Sequence, residues 1–183
     1  VPDYARSGAR ASALALASLL ERHGIETMLH YTCRDRTLSA MQSDLVAAHV
    51  LGIRNLLATT GSPARSGNFP DETSTFEVDA VGLINVTTRL NQGLDLAGES
   101  LGSATRFHVA AVVNPFADDG DAEWRRLARK IDAGADVIVT PPVLDPEAFD
   151  SALARLKSTG LPILAGVATL ENARHAELLS SEV

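Results

Sequence analysis

Gly24-Ile25-Glu26-Thr27-Met28-Leu29-His30, Gly52-Ile53-Arg54-Asn55-Leu56-Leu57-Ala58, Gly134-Ala135-Asp136-Val137-Ile138-Val139-Thr140 and Gly160-Leu161-Pro162-Ile163-Leu164-Ala165-Gly166 are four copies of one pattern. In each, a glycine closes a helical stretch and a short apolar run follows at the same distance. Glycine just past a helix adopts the left-handed conformation without a β-carbon clash, and an uninterrupted apolar run suits a strand buried on both faces. A fifth strand is expected over 107–114 from Val109, Ala110, Ala111, Val112 and Val113, although no glycine of this register precedes it.

Amphipathic helical patterns fill the intervals, at 9–22, 38–49, 78–94, 121–133, 146–158 and 169–180. Strands alternating with helices form parallel sheets covered on both faces, so the class is α/β. Five equivalent units in one register favour a (β/α)8 TIM barrel over an open doubly wound sheet. A complete barrel takes about 250 residues, so this 183-residue chain reads as a fragment covering roughly strands 3 to 7. No linker or low-complexity tract divides it, and 1–183 is expected to be a single, truncated barrel domain.

The composition agrees, with 45% hydrophobic and 21% charged residues. A net charge of -7 argues against nucleic acid and anionic membrane surfaces as partners. No apolar run is long enough to span a bilayer and no signal-peptide pattern opens the chain, so a cytoplasmic protein acting on small molecules is expected. The lone Cys33 is expected to pack rather than react. No spacing of histidine, cysteine or carboxylate residues suits a metal.

Parallel α/β folds place ligands at the carboxyl ends of their strands. That rule selects His30, Thr32 and Arg34 after the first strand, Thr60, Gly61 and Ser62 after the second, Asn114 after the third, Thr140 and Pro141 after the fourth, and Val167 after the last. The string His30-Tyr31-Thr32-Cys33-Arg34-Asp35-Arg36 is dense in polar groups for a strand end, the plain alternative being a core histidine followed by a solvated loop. Thr60-Gly61-Ser62-Pro63-Ala64-Arg65-Ser66-Gly67 could bring backbone amides to an anionic or flavin-like ligand, yet matches no nucleotide motif. Arg126, Arg129 and Lys130 share a helix face that suits a phosphate, although an acidic first turn and basic last turn also simply complement the helix dipole. A barrel enzyme acting on a phosphorylated metabolite is one reading of that pair of features.

The string at 30–36, the strand and loop at 55–63, and Arg129-Lys130-Ile131-Asp132-Ala133-Gly134-Ala135 followed by Val139-Thr140 together resemble the methylenetetrahydrofolate reductase family. The likeness covers nearly the whole chain. It is strongest to the branch fused behind a homocysteine S-methyltransferase domain, which has a similar Met41-Gln42-Ser43-Asp44-Leu45 helix and Asp95-Leu96-Ala97-Gly98 segment. The resemblance implies a flavoprotein oxidoreductase of one-carbon metabolism and methionine biosynthesis, in which FAD passes a hydride from NADH or NADPH to 5,10-methylenetetrahydrofolate, giving 5-methyltetrahydrofolate. It also implies a homo-oligomer, with a homocysteine S-methyltransferase domain as a fused or associated partner.

By motif match, His30 and Thr32 would border the flavin and Gly61 would give it backbone room. Asn114 and Ala117 would lie along its adenosine portion, and Glu123, Arg126, Arg129 and Lys130 along its sugar and phosphates. Ser62 and Pro141 stand where the family has an aspartate and a glutamine that serve flavin, folate and nicotinamide; no catalytic residue is assigned, and Ser62 occupies the family's acidic position. These two replacements lose a charge and an amide. They fit an alternative, a catalytically impaired or non-catalytic flavin- or folate-binding barrel, and also a branch that has lost FAD. The family's first strand, with its catalytic glutamate, would lie before Val1, so the fragment alone is expected to be inactive.

Overall fold

The computed structural model describes residues 1–3, 11–62, 74–174 and 177. Strands and helices alternate as the glycine pattern predicts. They are α1 (Ala13–Arg22), β1 (Met28–Thr32), α2 (Leu38–Val50), β2 (Asn55–Thr59), α3 (Ala80–Asn91), β3 (His108–Val112), α4 (Gly120–Asp132), β4 (Val137–Pro142), α5 (Pro146–Lys157) and β5 (Ile163–Gly166). The five strands form one sheet in sequence order, and β1 with β2, β3 with β4 and β4 with β5 pair in parallel. By internal contacts the chain divides into two units, Val1–Val109 and Ala110–Val183.

All four register glycines have positive φ, from 74° at Gly160 to 113° at Gly134. At Gly24 and Gly160 an added β-carbon would meet nothing within 4 Å, so the demand is conformational, not spatial. After α1, α2 and α4 the amide two residues beyond the C-cap returns to the last turn: Ile25 N to Leu20 O, Ile53 N to Ala48 O and Ala135 N to Lys130 O. The third helix ends the same way, with Leu94 N donating to Arg89 O and Gly93 at φ 79°. This unit's glycine is therefore present, but an excursion of residues 94–107 separates it from β3. Gln42 and His49 of α2 accept amides of that excursion, from Leu96 at 2.8 Å and Arg106 at 3.3 Å.

The helix starts follow side-chain chemistry. Thr37, Asp79, Asp119 and Asp145 each accept an amide of the first turn, and Pro146 occupies the first turn of α5. The first helix begins at Ala13, its predicted residues 9 and 10 lying outside the described ones. The pattern at 169–180 falls largely outside them too, and the described residues 169–172 are not helical.

In the first unit, Leu29 and Tyr31 pair with Leu56 and Ala58, and all four are buried. Tyr31 donates its hydroxyl to Asp44 of α2 at 2.7 Å, so this is the helix-covered face. His30 and Thr32, paired with Leu57 and Thr59, point to the opposite face. In the second unit, Val113, Leu127, Ile138 and Leu156 form the core, with Trp124, Ile131, Phe149, Leu161 and Ile163 packed against it. Among the described residues no helix is long and apolar enough to cross a membrane.

Candidate functional site

The carboxyl end of β1 carries the densest polar network of the first unit. Val1 N donates to Met28 O and His30 N to Val1 O, so the chain at residue 1 runs parallel along the free edge of β1. Two residues on, the Asp3 side chain accepts the next ladder amide: Thr32 N donates to Asp3 Oδ2 at 3.2 Å. The same oxygen accepts the Thr32 hydroxyl at 2.9 Å and Arg36 Nη1 at 2.7 Å. Arg36 also donates to Thr32 O and Thr32 Oγ1, and its guanidinium lies 4.3 Å over the Tyr31 ring.

Burial acts to raise the Asp3 carboxyl, but the hydrogen bond and charge of Arg36, together with Thr32, hold it below the ordinary carboxylate range. Burial lowers the His30 imidazole, which favours its neutral form at pH 7. The Tyr31 phenol is raised by burial and by its bond to Asp44. Neither Asp3 nor Asp44 was selected from sequence. Asp3 sits 29 positions from Thr32 and belongs to no local motif, so only strand pairing brings them together.

At the end of β2, Gly61 has φ 89°, and a β-carbon there would lie 3.2 Å from the β-carbons of both Thr32 and Arg34. The close approach ties the Gly61 turn to the tail of β1. Ser62, beside it, gives its carbonyl to Arg34 Nη1 at 2.6 Å. His30, Thr32, Arg34, Gly61 and Ser62 are thus brought to one rim of the first unit, and residues 63–67 of the predicted loop lie outside the described ones. Arg34 and Arg36 are only 12% and 27% exposed, so the stretch is not a freely solvated loop. Cys33 is fully buried and its thiol, pushed up to about 12 first by burial and then by the charge of Asp79, is a packing group as expected.

In the second unit, Asn114, Ala117, Glu123 and Arg126 come together after β3. The buried Glu123 accepts Asn114 N at 3.1 Å and Arg126 Nε at 2.8 Å, while Ala117 N donates to Asn114 O. Lys130 turns inward, donating to Val112 O at 2.6 Å. Arg126 and Arg129 line an open groove of 430 Å³ along α4 with Ala122, Arg125 and Ala128. The three cations predicted to share a face therefore divide between the groove and the strand end.

At the end of β4 the ladder is irregular between Val139 and Pro142, because Pro141 and Pro142 have no amide to donate. Thr140 bridges the irregularity, donating to Pro141 O at 2.9 Å and accepting Gly166 N at 3.1 Å. A β-carbon on Gly166 would fall 2.6 Å from Pro141 O, so only glycine fits that crossing. Val167, just beyond, is 87% exposed. Among the described residues no group of three metal-ligating side chains occurs.

Known proteins resemble this chain in sequence and in fold. The family model described as methylenetetrahydrofolate reductase matches residues 1–181. Methylenetetrahydrofolate reductase 1 of Schizosaccharomyces pombe is 26% identical over 151 residues, covering 80% of this chain and 23% of that protein. Methylenetetrahydrofolate reductase 2 of the same yeast is 34% identical over 136 residues, covering 73% of this chain and 21% of that protein. The chain thus spans less than a quarter of the length of these two relatives. Among solved structures, 2,3-dimethylmalate lyase, a PEP mutase/isocitrate lyase superfamily member, superimposes with a TM-score of 0.57 at 13% identity, covering 93% of this chain and 62% of that one. That likeness speaks for the fold alone, a parallel α/β sheet of the partial (β/α)8 barrel kind. With the family model running from the first strand edge to past the last strand, the chain belongs to the methylenetetrahydrofolate reductase family.

Proposed function

We propose that this chain is part of an oxidoreductase that reduces 5,10-methylenetetrahydrofolate to 5-methyltetrahydrofolate, with NADH or NADPH as hydride donor and FAD as carrier. The observation that carries the reading is the family match over residues 1–181, with the matched motif His30 to Arg36 at a strand's carboxyl end. The rim of the first unit fits a flat polar heterocycle. His30 is half-buried and favoured in its neutral form, and a β-carbon at Gly61 would crowd Thr32 and Arg34, so that position of the turn carries no side chain. Bound FAD would supply the two-electron step from nicotinamide to folate. By family motif, His30 and Thr32 of the first unit would lie along its ring, and in the second unit Asn114, Ala117, Glu123 and Lys130, gathered at the end of β3, along its adenosine, sugar and phosphates; Arg126 reaches that end through Glu123, while Arg129 lines the groove along α4.

A second reading is a flavin- or folate-binding barrel without turnover, partnering a homocysteine S-methyltransferase domain. Ser62 and Pro141 favour it: a serine supplies no charge, and Pro141 supplies no side-chain amide and leaves the end of β4 irregular. The full-length protein separates the two. A yellow protein that bleaches with NADH or NADPH and recovers on adding methylenetetrahydrofolate supports the reductase; flavin or folate binding without turnover supports the second reading; a protein that binds none of flavin, folate and NAD(P)H refutes both.

A further inference from the structure

Two consecutive residues, Arg34 and Asp35, connect positions that are far apart in sequence. Arg34 Nη1 donates to Ser62 O at 2.6 Å, and its Nε donates to Asp35 Oδ2 at 3.0 Å. Asp35 uses its other oxygen, Oδ1, to accept Thr75 N at 3.0 Å, while Asp35 N donates to Thr75 O at 2.9 Å. A continuous hydrogen-bonded path therefore runs from the Ser62 carbonyl through a guanidinium and a carboxylate to the Thr75 amide, and the Asp35 backbone amide closes the pair on Thr75 O.

Asp35 has φ 59°, the one positive value among the described non-glycine residues. Aspartate tolerates the left-handed region better than most residues, though at a cost, so its use here marks a conformation held by its contacts. Nearby, Glu77 Oε2 accepts Leu38 N at 2.7 Å, so the segment after Thr75 is also fastened to the start of α2. The Arg34 side chain is 12% exposed and that of Asp35 44%, so water reaches the pair from the carboxylate side while the guanidinium is held inward.

We propose that Arg34 and Asp35 act as one clasp that positions the Gly61–Ser62 turn, and that they are positioning residues for the ligand bound at the end of β2. Neither group need touch the ligand. Arg34 fixes the Ser62 carbonyl from behind while Thr32 and Arg34 pack against Gly61, so the turn's backbone direction is set by the β1 tail. Lysine cannot replace this arginine, because one ammonium does not span a carbonyl and a carboxylate with the geometry of a planar fork.

The ligand side of the proposal rests on the reductase reading; the clasp itself does not. The test uses the full-length protein with Arg34→Ala, Arg34→Lys and Asp35→Asn, read by amide exchange at Thr75 and by steady-state kinetics with methylenetetrahydrofolate. Arg34→Ala is expected to speed exchange at the Thr75 amide, which it does not contact, by about tenfold, the scale of one charge-assisted hydrogen bond. It is also expected to raise KM about tenfold with kcat within about twofold. Arg34→Lys should recover little of the loss. Asp35→Asn, which keeps the left-handed backbone and the acceptor for Thr75, should raise KM in the same way. Unchanged Thr75 exchange in Arg34→Ala refutes the clasp, and faster exchange with unchanged KM refutes its positioning role. If wild-type protein has no turnover, the reductase reading fails while Thr75 exchange still decides the clasp.

Discussion

Replacing Arg36 by methionine should destabilise the first unit by about 2–3 kcal/mol, because one side chain holds several partners at once. Hydrogen bonds to charged groups contribute about 1.5–3 kcal/mol, and Arg36 donates to Asp3 Oδ2 and Thr32 O, both at 2.7 Å. Its position 4.3 Å over Tyr31 adds about 0.5–1 kcal/mol. With the Arg36 side chain 27% exposed, water reaches the stranded carboxylate and reduces the sum, while the methionine stem keeps the packing. The measurement is urea unfolding followed through exchange protection of the Leu29–Thr32 amides, at pH 7 and on acidification. Asp3 has its carboxyl held low in the folded state, so its contribution is present above the unfolded value of about 3.9 and is lost as pH falls through the folded one. The gap between wild type and Arg36→Met should therefore be full at pH 7 and shrink in acid. In a double-mutant cycle, Asp3→Asn should couple to Arg36→Met by about 1 kcal/mol or more. A coupling below about 0.5 kcal/mol, or a gap unchanged down to acid pH, would refute the assignment of this network.

Cys33 should resist thiol reagents at pH 8 in the native protein and react quickly once unfolded, since it is fully buried and its thiol is pushed up to about 12; fast native labelling would contradict its packing role. Gly166→Ala should lower stability by about 1–3 kcal/mol, since its β-carbon would fall 2.6 Å from Pro141 O and the β4 crossing would have to open. Gly160→Ala meets no atom within 4 Å and should cost about 1–2 kcal/mol through its φ of 74° alone. A thermal melt of both variants checks the pair, and equal tolerance at both sites would overturn the distinction.

The glycine register was enough to place four strands and the helices before them, because a left-handed C-cap and an apolar strand run are both local demands on residue type, although Leu164 of β5 is exposed rather than buried. The fifth unit shows the limit of that reading. Gly93 caps its helix as the others do, but residues 94–107 intervene before β3, so that strand is legible from its own apolar run at 109–113 and not from the glycine register. The motif His30 to Arg36 marks the candidate rim, since strand ends are where a parallel α/β fold exposes polar groups. What the sequence could not supply was partnership across the sheet. Asp3 reaches Thr32 and Arg36 only through strand pairing, and Asp35 meets Thr75 across 40 positions. Lys130 shares a helix face with Arg126 and Arg129 by spacing, yet it turns to Val112, whose carbonyl at the end of β3 lies within reach of a long flexible stem. Residue type and spacing determined the elements and the end of the sheet that carries the candidate site; long-range hydrogen bonding, which depends on how those elements pair, decided which charges are held together there.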